Sequence, residues 1–220
     1  MKRGICWVTW GDNQPEHLWR SVKSAKFFGL STCLITAAPI ENGEMFDHIV
    51  PYTPDYFDAR GRVAAFQELT PFDVTLHLDT DTVICRDVSY GFKMAERHGL
   101  ACCIAPACDA TLWHKLESYP PGLVQYNAGA LFFTDKCKTL FTEWRRLNKL
   151  NLSRISKQDQ PGLAIAIYEL GFNPYVLPHT WNFRPDFGHI SGFGPIYIWH
   201  SQKPVPHGVG DLPGFWKFQQ

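Results

Sequence analysis

The stretch Leu76-His77-Leu78-Asp79-Thr80-Asp81-Thr82-Val83-Ile84 decides how this chain is read. An apolar run, Val74 to Leu78, reads as a central strand; it ends in two aspartates, and apolar residues resume at once. Both carboxylates therefore stand at the carboxyl end of a strand. In open α/β sheets ligands collect at that end, and two hard oxygen donors there suit Mg²⁺ or Mn²⁺, which keep positions open for phosphate oxygens. Asp-x-Asp also reads as an Asx turn with solvated aspartates, so the surroundings have to decide.

Upstream, residues 4–10 read as a buried first strand and Pro15 to Phe28 as a helix with Leu18, Val22 and Ala25 on one face. Apolar runs follow at Thr32 to Ile35 and His48 to Tyr52. Ala59 to Leu69 is helix-like, with Val63, Phe66 and Leu69 in register, and Pro71 stops it. Strands alternating with helices at this pace predict an α/β fold: a mainly parallel central sheet with helices on both faces. Downstream, Ala101 to Ala105 and Gly129 to Phe133 read as strands. Lys138 to Leu150 is an amphipathic helix through Leu140, Trp144 and Leu147, and a further helix, Gln160 to Leu170, carries the stripe Leu163, Ile167 and Leu170 with Gly171 as its stop. Beyond residue 170, seven Pro, seven Gly and eleven aromatic residues in fifty positions favour irregular ordered loops, an aromatic-rich wall, over another strand-helix unit.

The chain has 220 residues, long enough for one core and short for two, and no repeat or linker divides it. Its 45% apolar and 19% charged residues exclude disordered and coiled-coil classes. Twenty-one basic residues cancel twenty-one acidic ones, so no net field holds a nucleic acid. No run is long and apolar enough to span a membrane, and no signal-type core follows Met1, which predicts a cytoplasmic location. The seven cysteines contain no CxxC pair and read as small buried apolar residues rather than disulfides or a zinc ribbon.

The order of short motifs along the chain resembles the GT-A glycosyltransferases, especially the glycogenin-like and lipopolysaccharide galactosyltransferase-like family. Arg62-Val63-Ala64-Ala65 stands where that family carries a basic residue on the helix before its Asp-x-Asp strand. Tyr126-Asn127-Ala128-Gly129-Ala130 matches its Asn-x-Gly segment beside the donor sugar. Gln158-Asp159-Gln160 resembles its Asp-Gln segment near the anomeric carbon, and Leu177-Pro178 with Trp181-Asn182 looks like the stretch before its last strand. That strand, Ile196 to Trp199, ends at His200, which matches the third metal ligand.

The resemblance implies a single GT-A-type domain over residues 1–220, with about 1–90 as the nucleotide-binding half and about 91–220 as the donor-sugar and acceptor half. It implies transfer of a sugar, with retention, from a nucleotide-sugar donor, foremost a UDP-sugar, to a hydroxyl of a saccharide or glycan acceptor. Asp79, Asp81 and His200 would hold Mn²⁺ or Mg²⁺; Asp159 and Gln160 would act at the transferred sugar; Thr9, Trp10, Arg62, Thr80, Asn127, Gly129 and Lys203 would contact the donor. If the reaction inverts instead, Asp159 is the first choice of base. Trp181, Phe183, Phe187, Phe193 and Trp199 offer flat faces for an acceptor.

The sequence departs from the family after His200, where Ser201-Gln202-Lys203-Pro204 lacks the glycine expected three positions on, and His207-Gly208-Val209-Gly210 supplies a competing alignment. Thr9-Trp10-Gly11-Asp12 also replaces the usual polar signature of the first strand, which leaves the base open. Two other readings share the carboxylates: a catalytically silent carbohydrate-binding or scaffold domain, and a sugar-1-phosphate nucleotidyltransferase. The second wants a glycine-rich phosphate loop, and residues 9–15 carry only Gly11.

Overall fold

The computed structural model describes residues 1–10, 16–150, 152, 157–188 and 194–209. Gly11, Asp12, Pro15, Phe193 and Gly210, named above, lie outside the described residues.

Among the described residues, seven strands form one sheet. The first four in sequence are β1 (Arg3–Thr9), β2 (Thr32–Thr36), β3 (His48–Pro51) and β4 (Val74–Leu78), with α1 (Glu16–Phe27) after β1 and α2 (Arg62–Glu68) before β4. β1 lies parallel to both β2 and β4, and β2 parallel to β3. All five residues of β2 and of β4 are buried, in β4 including the polar Thr75 and His77, as expected of central strands covered on both faces.

A three-residue strand, β5 (Thr82–Ile84), follows the aspartates, and α3 (Ser89–His98) leads into β6 (Leu100–Asp109). A short helix, α4 (Ala110–His114), joins β6 to β7 (Val124–Thr134), followed by α5 (Lys138–Asn148), α6 (Gln160–Glu169), β8 (Tyr175–Leu177) and β9 (Ile198–His200). The sheet order is β3-β2-β1-β4-β7-β6-β8, while β5 and β9 pair apart from it as an antiparallel ribbon. β7 runs antiparallel to β4 and β6, and β6 runs parallel to β8. Four of the six neighbouring pairs are thus parallel, and the exception is one reversed strand.

The chain leaves β1 toward β2 and β3, then returns to place β4 on the other side of β1. That reversal opens a crevice at the carboxyl ends of β1 and β4, the usual ligand position in such sheets. The predicted stripe on α6 gives way to burial all round: Gly162, Ala164 and Ala166 are covered as well as Leu163 and Ile167, and Leu170 is exposed. Gly162 is needed there, because a Cβ would press on Asn148 and Trp144 of α5. Six of the seven cysteines are buried and free, with Cys108 exposed. No helix among the described residues is long and apolar enough to cross a membrane.

The C-terminal part forms two single-turn 3₁₀ helices, His179–Asn182 and Pro185–Phe187, between β8 and β9. Its rings are used differently from expectation. Trp181 stacks on Tyr197 with centroids 4.2 Å apart, and Trp181, Phe183 and Trp199 are buried, so these three fill the interior and offer no face to an acceptor. Phe187 alone among the described rings of that set is exposed.

Candidate active site

A cleft of about 420 Å³ opens over the carboxyl ends of β1 and β4, and its walls include Trp10, Arg62, Asp79, Thr80, Asp81, Asp159, Gln160 and His200. Eight of the residues singled out in the sequence therefore meet in one place. The turn after β4 is closed by Thr82, whose hydroxyl donates to the Asp79 carbonyl at 2.7 Å, so Asp79 and Asp81 flank a fixed bend. β9 pairs antiparallel with β5, setting His200 opposite Thr82.

One donor atom from each of Asp79, Asp81 and His200 lies within 4.8 Å of the other two. His200 Nε2 is 3.3 Å from Asp81 Oδ1 and 3.6 Å from Asp79 Oδ2. Its other ring nitrogen, Nδ1, is 2.7 Å from Asn182 Oδ1. With Nδ1–H donated to that amide, Nε2 is the ring nitrogen turned toward the two carboxylates, and it would offer its lone pair to a cation held between them, as metal-binding histidines commonly do. Gly129 makes room for it, since a Cβ at that position would overlap both His200 and Asp79. Two oxygens, one imidazole nitrogen and a floor that admits no side chain fit a divalent ion of the Mn²⁺ or Mg²⁺ kind.

Behind this trio lies a buried ion network. Arg62 opens α2, and its guanidinium grips Asp159 with both arms, Nε to Oδ2 at 2.6 Å and Nη2 to Oδ1 at 3.0 Å. Nη1 turns the other way, to Asp79 and to His77 Nε2 at 3.3 Å. His77 Nδ1 in turn meets the Cys6 carbonyl at 3.2 Å. Burial would loosen Arg62's proton, but Asp159 and Asp79 outweigh it and hold the guanidinium firmly charged. Burial would likewise raise Asp79; the Arg62 charge, followed by His77 and His200, overrides it and keeps that carboxyl well below the usual range. Asp81 is lowered in the same sense, His200 outweighing its partial burial. Asp159 goes the other way: burial pushes it up, and Arg62 offsets this only in part. Asp159 stands at the N-terminus of α6, and its side chain makes no capping hydrogen bond there.

The remaining residues sit elsewhere. Asn127 and Gly129 lie beneath the cleft: Asn127 Oδ1 accepts from the Gly129 amide at 2.8 Å, and Gln160 Oε1 accepts from Ala128 N at 3.3 Å. Thr9 is buried, its hydroxyl without a partner among the described residues, and it is Val8 and Trp10 that border the cleft. Lys203 is 73% exposed and paired with Asp186, off the cleft wall. His207 is exposed and outside the donor trio. The lining residues that were not singled out in the sequence include Arg184, His17, Trp113 and Gln125. Trp113 is 46% exposed, and no periodicity marks it because it rides a five-residue helix.

No known family's sequence pattern matches the chain, and no curated protein matches it in sequence. Solved structures do. The galactosyltransferase LgtC, in complex with donor and acceptor sugar analogs, superposes with a TM-score of 0.66 at 14% identity over 98% of this chain and 93% of its own. The fold is the GT-A fold of glycosyltransferases. Mouse xyloside xylosyltransferase 1 in its apo form gives a TM-score of 0.62 at 14% identity, covering 94% of this chain and 100% of that one. The glycosyltransferase GlyE of Streptococcus pneumoniae TIGR4 gives 0.61 at 15% identity, covering 99% of this chain and 60% of that longer one. The crevice beside β4 is where Asp79, Asp81 and His200 sit.

Proposed function

We propose that this chain is a divalent-metal-dependent glycosyltransferase that moves a sugar from a nucleoside-diphosphate sugar, UDP foremost, to a hydroxyl of a saccharide acceptor with retention. The observation that carries the reading is the convergence of Asp79, Asp81 and His200 in a cleft that also holds the Arg62–Asp159 pair. Asp79, Asp81 and His200 would hold Mn²⁺ or Mg²⁺. Such an ion, when bound, supplies Lewis-acid stabilisation of the negative charge that develops on a departing diphosphate.

The protein's own groups divide the remaining work. Asn182 fixes the His200 ring, and Arg62 supplies a buried positive charge beside Asp79. Gln160 spends its carbonyl oxygen on Ala128 N, which leaves its amide nitrogen as a donor for a sugar hydroxyl. Retention is favoured by what the carboxylates are already doing: Asp79 and Asp81 belong to the metal set, and both oxygens of Asp159 are committed to Arg62. No carboxylate lining the cleft among the described residues is left over to deprotonate an acceptor from the opposite face. Trp10 offers a ring at the end of β1 for the base, and Trp113 and Phe187 present exposed faces on the acceptor side.

A donor screen tests the reading. UDP-, GDP- and TDP-sugars are titrated with and without Mn²⁺, binding being read before hydrolysis. Metal-dependent UDP-sugar binding that drops at least a hundredfold in Asp81→Ala is expected. Sugar binding indifferent to metal and to Asp81→Ala would point to a silent carbohydrate-binding domain instead.

A further inference from the structure

The β5–β9 ribbon has two ends. One carries Thr82 and His200 to the cleft; at the other the Cys85 amide donates to the Tyr197 carbonyl at 2.8 Å, and the chain runs on into Arg86 and Asp87. A second cavity, of about 650 Å³, opens at that end, between the start of α3, β8 and the turn that follows β8. None of its described lining residues lines the cleft.

Tyr90, Tyr175 and Tyr197 converge on this cavity, and each ring is set in place by its neighbours. Trp181, itself buried, lies flat on the half-buried Tyr197 with the ring planes 11° apart. Tyr90 meets Tyr175 edge to face at 6.1 Å and tilts against Trp181 at 6.0 Å, while Tyr175 also packs on His98 at 5.2 Å. The Tyr90 and Tyr175 hydroxyls are 2.7 Å apart, so one O–H donates to the other oxygen and the second O–H remains to be donated. Tyr90 is 44% exposed. Fixed rings at a cavity mouth, with hydroxyl capacity to spare, fit a ligand that pairs an apolar face with a rim of O–H groups.

Charge narrows the ligand further. Among the described residues the lining carries one arginine, Arg86, one aspartate, Asp87, and no other charged side chain. Asp87 takes the Ser89 amide and hydroxyl at 2.9 and 2.8 Å, one on each oxygen, and an ionised carboxylate keeps lone pairs for further donors. With the two signs balanced, the cavity has no excess charge to hold a phosphate or a uronate.

We propose that this cavity is a second saccharide-binding site, which takes a neutral oligosaccharide apart from the catalytic cleft. The site needs neither metal nor nucleotide and so does not depend on the transferase reading. One turn serves both places, because Trp181 backs Tyr197 while the next residue, Asn182, holds His200.

The test is titration calorimetry on the full chain without Mn²⁺ or UDP, using cellohexaose, maltohexaose and mannohexaose, with hexagalacturonate as the charged counterpart. Wild type is expected to bind a neutral hexasaccharide, with affinity reduced about tenfold or more in Tyr90→Ala and Tyr197→Ala, and about threefold in Tyr90→Phe, which keeps the ring and loses the hydroxyl. Asp81→Ala, which breaks the acidic trio in the cleft, should bind the same sugar within about twofold of wild type. Tyr90 is exposed enough for its replacement to leave the fold intact, and thermal unfolding of each variant checks this. The proposal is overturned if wild type binds no neutral hexasaccharide, if hexagalacturonate binds as tightly, or if folded Tyr90→Ala and Tyr197→Ala bind like wild type. Self-association of wild type that Tyr90→Ala abolishes, read by sedimentation, would give the face to a second copy of this chain and overturn it as well.

Discussion

Asp79 at the tip of β4 and Asp159 at the start of α6 share one guanidinium, that of Arg62, and are put to opposite uses. Asp79 gives Arg62 a single oxygen and turns the other toward His200 and the cleft, where it is 30% exposed. Asp159 is 1% exposed and gives Arg62 both oxygens. The strand tip therefore keeps a charge available to a ligand, whereas the helix start consumes one internally. Accessibility and the number of uncommitted oxygens, rather than the residue type, separate a ligand-binding carboxylate from a counter-ion.

Deleting the shared cation strains this contrast most. Arg62→Met should destabilise the protein by about 3–5 kcal/mol, because Asp159 is left buried and unpaired. For a chain of this size that is a fall in Tm of roughly 10 °C. Adding Asp159→Asn should restore more than half of it, and thermal unfolding of the single and double variants measures both. A double variant no more stable than Arg62→Met would mean that Asp159 does not carry the buried charge.

The next effect separates the two sites by metal affinity. Asn182→Ala removes the acceptor that fixes the His200 ring and should weaken Mn²⁺ binding by about ten- to a hundredfold. Asp159→Asn should change Mn²⁺ affinity by no more than about threefold, since its oxygens face Arg62. Equal losses in the two variants, read by titration with Mn²⁺, would erase the distinction drawn above.

The smallest effect is a pH slope. His77, packed on the Phe66 ring with centroids 4.4 Å apart, is pushed down by burial to about 4. The unfolded chain takes up that proton near pH 6.5, so between about 6.5 and 4 the unfolded state binds more protons. Stability from this source is complete above that window and declines as pH falls through it, by at most about 1.4 kcal/mol per pH unit. His114, also lowered by burial to about 4, adds a second contribution of the same sign. Denaturant unfolding at several pH values should show the slope roughly halved in His77→Asn; an unchanged slope would mean that His77 is not held neutral.

Parts of the fold and site were legible in the sequence for identifiable reasons. β4 is legible at Val74–Leu78 because Val74, Leu76 and Leu78 alternate with Thr75 and His77 at the period of a strand and end at the polar Asp79. Arg62, Asp159 and His200 could be picked out by motif order, but not their partnerships, since residues 97 positions apart meet only through the sheet. α3 is not legible in the sequence, where Gly91 interrupts its pattern; a Cβ at that position would run into Phe132. β6 and β7 are longer than the expected Ala101–Ala105 and Gly129–Phe133, because register breaks along β6 disturb the pattern that marks a long strand. Arg184 and Trp113 lie on single turns, where no periodicity can advertise a side chain. Local order does not reveal that Asp186 pairs with Lys203 or that Arg20 fastens the backbone of its loop, which leaves Lys203 off the cleft wall.

The central claim is that Asp79, Asp81 and His200 together grip one divalent ion. Crystals grown with Mn²⁺ and UDP, with anomalous data collected near the manganese edge, examine it directly. The expected map has one strong peak bonded to these three side chains and absent in Asp81→Ala. UDP bound with no manganese at that position, or with the peak on other residues, would contradict the account.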